Sequence, residues 1–165
     1  MTANDAVARE VAWLRATGDG LPSLLAPSGP WSVIQAYRSR TPSTRLSGIY
    51  LMRTGYTEER WGNQRKLVRY TFLADLVWPV GSTSTGMAIW ETEQAALDSA
   101  VDLLVQRIRG QLFDHTHGGK FLSAAEAPDP ARISVSFADP EQTANGSPAM
   151  LRASVRYEAD DELVA

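Results

Sequence analysis

The stretch from Leu67 to Leu112 most constrains what this chain can fold into. It joins a long alternating segment, a Gly/Ser/Thr loop and the one long amphipathic segment. In Leu67–Trp78 the even positions Val68, Tyr70, Phe72, Leu76 and Trp78 are large and apolar, with Ala74 among them. The odd positions mix Leu67, Leu73 and Val77 with Arg69, Thr71 and Asp75. A period of two with one richer face predicts a half-buried strand. From Glu93 the period changes. Leu97, Val101, Leu104, Ile108 and Leu112 recur at steps of three and four, flanked by Ala100 and Val105, and so predict one stripe on a helix. Thr92 is the expected N-cap. Glu91 and Glu93 then suit the positive end of the helix dipole, and Arg107 and Arg109 the negative end. Burying each large aliphatic side chain of the stripe contributes roughly 1.5–3 kcal/mol. The stripe needs a sheet to cover, and the preceding strand offers one.

The remaining segments are read around that unit. Asn4 is placed to cap a helix over residues 5–17, with Val7, Val11 and Leu14 on one face and Gly18-Asp19-Gly20 ending it. Leu21–Pro30 is an irregular connector. Trp31–Tyr37 and Arg45–Met52 read as short strands. Arg53–Gln64, RTGYTEERWGNQ, is charged and carries two glycines with Tyr56 and Trp61. It reads as the exposed loop of a long hairpin returning through Lys66–Trp78. Val80–Ile89 is a flexible crossing, Asp114–Lys120 a glycine-rich turn, and Phe121–Ala127 a short edge segment. Ile133–Phe137 and Leu151–Tyr157 alternate and are expected to pair, with Ile133, Val135, Phe137, Leu151, Ala153, Val155 and Tyr157 inward. Glu158–Ala165 is expected to be an acidic, disordered tail. The order α-β-β-β-α-β-β predicts an α+β fold: a two-layer domain, mainly antiparallel sheet, with one long helix packed on it and a short N-terminal helix.

At 165 residues the chain suits a single domain that folds without staples. It has no cysteine, so disulfides and thiolate chemistry play no part. The first fifteen residues carry Asp5, Arg9, Glu10 and Arg15 and do not resemble a signal peptide. A soluble protein assembled in the cytoplasm is expected. The net charge of −3 is uneven. Residues 38–69 hold eight Arg/Lys against two Glu, and residues 126–165 hold three Arg against eight Asp/Glu. Either both blocks are solvated faces, or one copy's basic block meets the next copy's acidic block in a head-to-tail ring.

Chemical motifs are sparse. Gly81–Gly86 has the glycine spacing of a phosphate loop, but Met87 and Ala88 stand where Lys and Ser/Thr are required. Gly118-Gly119-Lys120 lacks the upstream glycine. His115 and His117 lie two apart beside Asp114, which offers two or three positions of a zinc site or, more simply, a polar turn. Asp160, Asp161 and Glu162 offer loose divalent-cation ligands or a solvated tail. Asn145-Gly146-Ser147 fits a glycosylation sequon but precedes Pro148. No catalytic residue, metal ligand or cofactor is assigned.

The order of elements carries a resemblance. A short helix and a Pro/Gly connector come first. LVRYTFLADLVWP, ETEQAALDSAVDLLVQRIRGQL and the pair ISVSFADPEQ and MLRASVRYEADDEL follow. Across roughly residues 5–160 this looks like the tail terminator (tail completion) proteins of long-tailed bacteriophages. The likeness lies in pattern and order rather than in a diagnostic motif. It implies a structural virion protein: a ring, typically a hexamer, that caps the tail tube, stops its growth and joins it to the head-side connector. Its partners would be further copies of itself, the tail tube protein and the connector protein. DNA would pass through an acidic lumen without specific binding. On that reading Arg53, Tyr56, Glu58, Glu59, Arg60 and Trp61 are the candidate interface. A head-tail adaptor or stopper, or another minor tail protein, is the alternative. A small ligand-binding domain or enzyme using the His115–Lys120 turn is the more remote one.

Overall fold

A computed structural model describes residues 5–18, 20–37, 46–80, 87–110, 114–125, 132–139 and 150–164. Two helices and six strands follow in the order α1 (Ala6–Arg15), β1 (Val33–Ala36), β2 (Gly48–Arg60), β3 (Arg65–Pro79), α2 (Met87–Arg109), β4 (Ser123–Ala124), β5 (Ser134–Phe137) and β6 (Met150–Val164). All strands join one sheet, ordered β1-β2-β3-β6-β4, with β5 also on β6. β1 runs parallel to β2, and the other pairs are antiparallel.

The alternation of β3 does what its period requires. Val68, Tyr70, Phe72, Ala74 and Leu76 are all fully buried. Leu151, Ala153, Val155, Tyr157 and Ala159 of β6 are buried on the same face. They stand in register as Leu76↔Ala153, Ala74↔Val155, Phe72↔Tyr157 and Tyr70↔Ala159. Cross-strand pairs of this kind are the unit of sheet stabilisation. Ile49 and Leu51 of β2 extend the face. Ala6, Val7, Val11 and Leu14 of α1 and Leu97, Ala100, Val101, Leu104, Val105 and Ile108 of α2 enter the same core.

The expected fold class is overturned. The protein is mostly sheet, and that sheet curls into a half-barrel. Three strands of 13, 15 and 15 residues outweigh two helices of 10 and 23. The stripe of α2 is buried, but in a core it shares with α1. It does not form a helical layer over a flat antiparallel sheet, and β1 makes the sheet mixed. The physical reason is the length of the strands: right-handed twist accumulates along a long ladder, and a long sheet closes on itself. A bulge in β2 between Arg53 and Gly55 adds to the bend.

Other boundaries move too. α2 begins at Met87, so Thr92 lies inside the helix and is exposed rather than capping it. Residues 81–86 and Leu112 lie outside the described residues, as does Asn4; Asp5 takes the N-cap position of α1 without a side-chain cap. Arg53–Gln64 is not an unstructured loop. β2 runs through Arg60, β3 starts at Arg65, and the turn is only Trp61–Gln64. Glu158–Val164 is not a disordered tail but the far half of β6, paired to β3 as far as Arg65↔Val164. β5 pairs with β6 as expected, with Val135 opposite Val155. Yet Val135 and Phe137 are 38% and 49% exposed. They share the face of Val155 and Ala153 at the sheet's edge, where Phe137 lines an open recess with Gln94, Leu97 and Asp98 of α2.

Candidate interaction surface

β2, β3 and β6 prolong the sheet as a three-stranded ribbon. The bulge decides which side chains face which way. Before it, Leu51 and Arg53 share the core face with Ala74 and Phe72; after it, Tyr56, Glu58 and Arg60 do, opposite Tyr70, Val68 and Lys66. One extra residue in β2 therefore shifts the alternation by one. The Arg53 guanidinium lies 4.7 Å from the Tyr56 ring centre and 5.8 Å from that of Tyr70. Glu58 pairs with Lys66 at 2.9 Å. The Arg60 guanidinium donates to the Gly62 carbonyl at 3.3 Å, which braces the turn. Tyr56 is 50% exposed and Trp61 60%. Val164, beside Arg65 at the same end, is 68% exposed. The six residues expected at an interface, Arg53, Tyr56, Glu58, Glu59, Arg60 and Trp61, are thus brought onto one projecting hairpin arm and its turn.

β1 pairs only with Gly48–Leu51. From Met52 to Arg60 the outer edge of β2 has no ladder partner among the described residues. An unpaired edge presents N–H and C=O groups to another strand. On the far side, β5 covers β6 at Ala153–Arg156 and β4 covers Ala159–Asp160. Between them a recess of about 510 Å³ opens, lined by Arg69, Arg132, Ser134, Arg156, Tyr157 and Glu158.

The charge blocks meet inside one chain. Arg69 and Asp160 are direct cross-strand partners, joined by two hydrogen bonds of 2.7 and 3.0 Å. Arg65 pairs with Glu162 at 3.1 Å, and Arg9 of α1 reaches Asp161 at 2.6 Å. Asp160 and Asp161 are 8% and 6% exposed. The acidic residues read as tail or loose cation ligands are therefore spent on the chain's own arginines.

The histidine turn divides. His115 is exposed, whereas His117 is fully buried and its side chain is sealed from solvent. His117, Gly118 and Gly119 all take positive φ, at 51°, 67° and 75°. Two glycines relieve most of that strain, and a Cβ on Gly118 would meet Trp13. The turn aims the imidazole inward. Its Nδ1 is 2.9 Å from Glu10 Oε2 and its Nε2 2.7 Å from the Ile108 carbonyl. Tyr157 donates to the other Glu10 oxygen at 2.6 Å. Trp13 stacks on the ring at 3.7 Å and 3°, and the Arg107 guanidinium sits 4.6 Å from Trp13. Burial pulls the His117 pKa down, but the charge and hydrogen bond of Glu10, the Ile108 carbonyl and Asp114 outweigh it, so the net shift is upward. Burial and then the Glu10 charge push the Tyr157 hydroxyl well up. The sequence reading does not bring Trp13, Glu10, Arg107 and Tyr157 together with His117, although it holds a signal. Glu10 occupies the apolar stripe of α1 between Val7, Val11 and Leu14, where a carboxylate requires a buried partner.

This cluster resembles catalytic machinery but is closed to substrate. Among the described residues no group of three or more His, Asp or Glu side chains is placed to hold a metal ion. No described helix is long and apolar enough to cross a membrane. The glycine loop at 81–86 and the sequon at Asn145–Ser147 lie outside the described residues. No protein-family model and no curated protein matches this sequence.

Proposed function

We propose that the protein is a structural subunit of a long-tailed phage tail, a ring-forming terminator that caps the tail tube and meets the head-side connector. The observation that carries the reading is the β2–β3 hairpin arm with its exposed Tyr56 and Trp61, whose outer β2 edge has no ladder partner among the described residues. Exposed aromatics beside arginine are the residues enriched where proteins meet. An open edge with a rigid aromatic turn gives each copy a protruding arm that a neighbour or a tube subunit can receive. A heterologous contact of that kind closes into a ring when the rotation permits. Arg69 and Arg65 of the basic block already pair with Asp160 and Glu162 of the acidic block within the subunit, so these charges add little to the reading.

The test is assembly. Purified protein mixed with tail tube subunit should give tubes of arrested length, capped at one end in electron micrographs. Trp61→Ala should fold normally and cap poorly. A protein that stays monomeric in the presence of growing tubes ends the proposal. A ring that binds connector but ignores tubes replaces it with the adaptor or stopper reading.

A further inference from the structure

We infer that Glu10 and His117 form a proton-operated latch that fastens α1 to the body of the fold, closed while the imidazole carries both ring protons and loosened when it loses one. Both ring nitrogens face acceptors: a Glu10 carboxylate oxygen at 2.9 Å and the Ile108 carbonyl at 2.7 Å. Only the imidazolium has a proton for each. If the Nε2 proton leaves, a lone pair faces the Ile108 carbonyl; if the Nδ1 proton leaves, a lone pair faces a carboxylate. Neither neutral tautomer satisfies this site. The side chains of both partners are sealed from water, so no solvent molecule takes the missing place without the packing opening.

The latch joins four segments. Glu10 comes from α1, Ile108 from the end of α2, His117 from the Asp114–Lys120 turn and Tyr157 from β6. The charged groups around the ring reinforce the protonated state or balance it. Glu10 faces it directly from α1, and Asp114 acts from the turn itself. From α2, Arg107 lies against Trp13, the ring stacked on His117, and its Nη2 donates to the Trp13 carbonyl at 2.6 Å. Arg9 of α1 lies over Phe121, 4.8 Å away, and donates to Asp161 and the Lys120 carbonyl. From β6, the Tyr157 hydroxyl donates a hydrogen bond to Glu10 and stays protonated. When His117 becomes neutral, the buried Glu10 carboxylate loses its facing positive charge, and one ring nitrogen is left without a proton for its acceptor. α1 is the segment able to give way, because it is a single 10-residue helix, whereas β3 and β6 share a ladder of 15 residues.

The sign follows from linkage. A histidine whose folded pKa is raised above 6.5 contributes its full stabilisation below that value and loses it as pH rises through the folded value. The experiment uses the full chain, with NMR titration of the His117 ring and hydrogen exchange of α1 and of β3–β6 across the same pH range. The His117 resonance, assigned by its absence in His117→Gln, should titrate above 6.5. Between 6.5 and that midpoint, α1 protection corrected for intrinsic exchange should fall by up to about tenfold per pH unit, the slope of one proton, and it should level off above the midpoint. The β3–β6 ladder should hold. Glu10→Gln should move the midpoint down. Titration of His117 at or below 6.5, or α1 protection that stays level through it, overturns the latch. So does loss of α1 and β3–β6 protection together. The wild-type measurement decides the matter even if Glu10→Gln does not fold.

Discussion

Two clusters in this chain are made from nearly the same residues, and their surroundings separate them. Arg107, Trp13, His117 and Glu10 stack and bond in the interior. Arg53, Tyr56, Glu58 and Trp61 sit on a projecting arm in water. Inside, the Glu10 carboxylate and the imidazole find hydrogen-bond partners and Arg107 Nη2 donates to the Trp13 carbonyl, and the cost of breaking these bonds holds the arrangement in place. Outside, water satisfies whatever the neighbours do not, so the arm gains little from its own contacts. Its aromatics are instead held ready for another surface. A residue type thus says little about role until its burial is known.

The largest test of that contrast removes one partner from the interior. Glu10→Ala leaves His117 and Tyr157 buried without their shared acceptor, and should cost about 3–5 kcal/mol in chemical denaturation, enough to unfold a marginal domain. A cost under about 1 kcal/mol would mean that the interior cluster is as forgiving as the exposed one. An intermediate case lies at the boundary between body and arm. Asp160 is bonded twice to Arg69, with side chains 11% and 32% exposed. Asp160→Ala should cost about 1.5–3 kcal/mol, toward the lower end because Arg69 can turn to water. The double variant with Arg69→Ala should cost less than the sum of the two singles, since they share one interaction.

The same contrast explains how far the sequence could be read. Where one face meets an apolar core, the period of two in β3 and the stripe of α2 report themselves, because burial selects every position. Where strands leave the core, that selection ends. Thr57-Glu58-Glu59-Arg60 and Glu158–Val164 flank the basic start of β3 from its two sides, and charge alone looks like loop or tail. The ladder from Arg65↔Val164 to Arg69↔Asp160 turns those charges into pairs, which only register reveals. The bulge after Arg53 changes the phase of β2, so no single alternation covers its 13 residues. Curl is a property of the whole ladder and has no residue that announces it. His117 and Glu10 stand 107 residues apart, and only a carboxylate on an apolar stripe hints that they meet.

Acid should expose a smaller effect at the turn that carries His117. Asp114 Oδ1 accepts from the Thr116 hydroxyl at 2.6 Å and from its backbone N–H at 2.9 Å. These bonds hold its pKa below 3.8. A depressed carboxylate contributes stability above its unfolded value and loses it as pH falls through the folded one. Asp114→Asn should flatten part of the stability loss below 3.8 and alter the high-pH limb only slightly, because Asp114 is the smallest of the influences that raise His117. If the high-pH limb flattens as well, Asp114 acts mainly through His117 and not through Thr116.

The smallest effect on stability should come from the most conspicuous side chain. Trp61 is 60% exposed at the turn, and its backbone N–H, which bonds the Arg65 carbonyl at 3.0 Å, survives any substitution except proline. Trp61→Ala should therefore change folding stability by no more than about 0.5 kcal/mol. A tryptophan at a protein contact behaves otherwise: removing a central anchor costs about 2 kcal/mol or more of binding, which is over an order of magnitude in affinity. The two measurements on one variant, denaturation and assembly with the tube subunit, set folding against recognition directly. If Trp61→Ala unfolds the protein, the arm belongs with the buried cluster and is part of the body. If neither quantity moves, the exposed aromatics are solvated ornament, and the open β2 edge alone must carry any contact the arm makes.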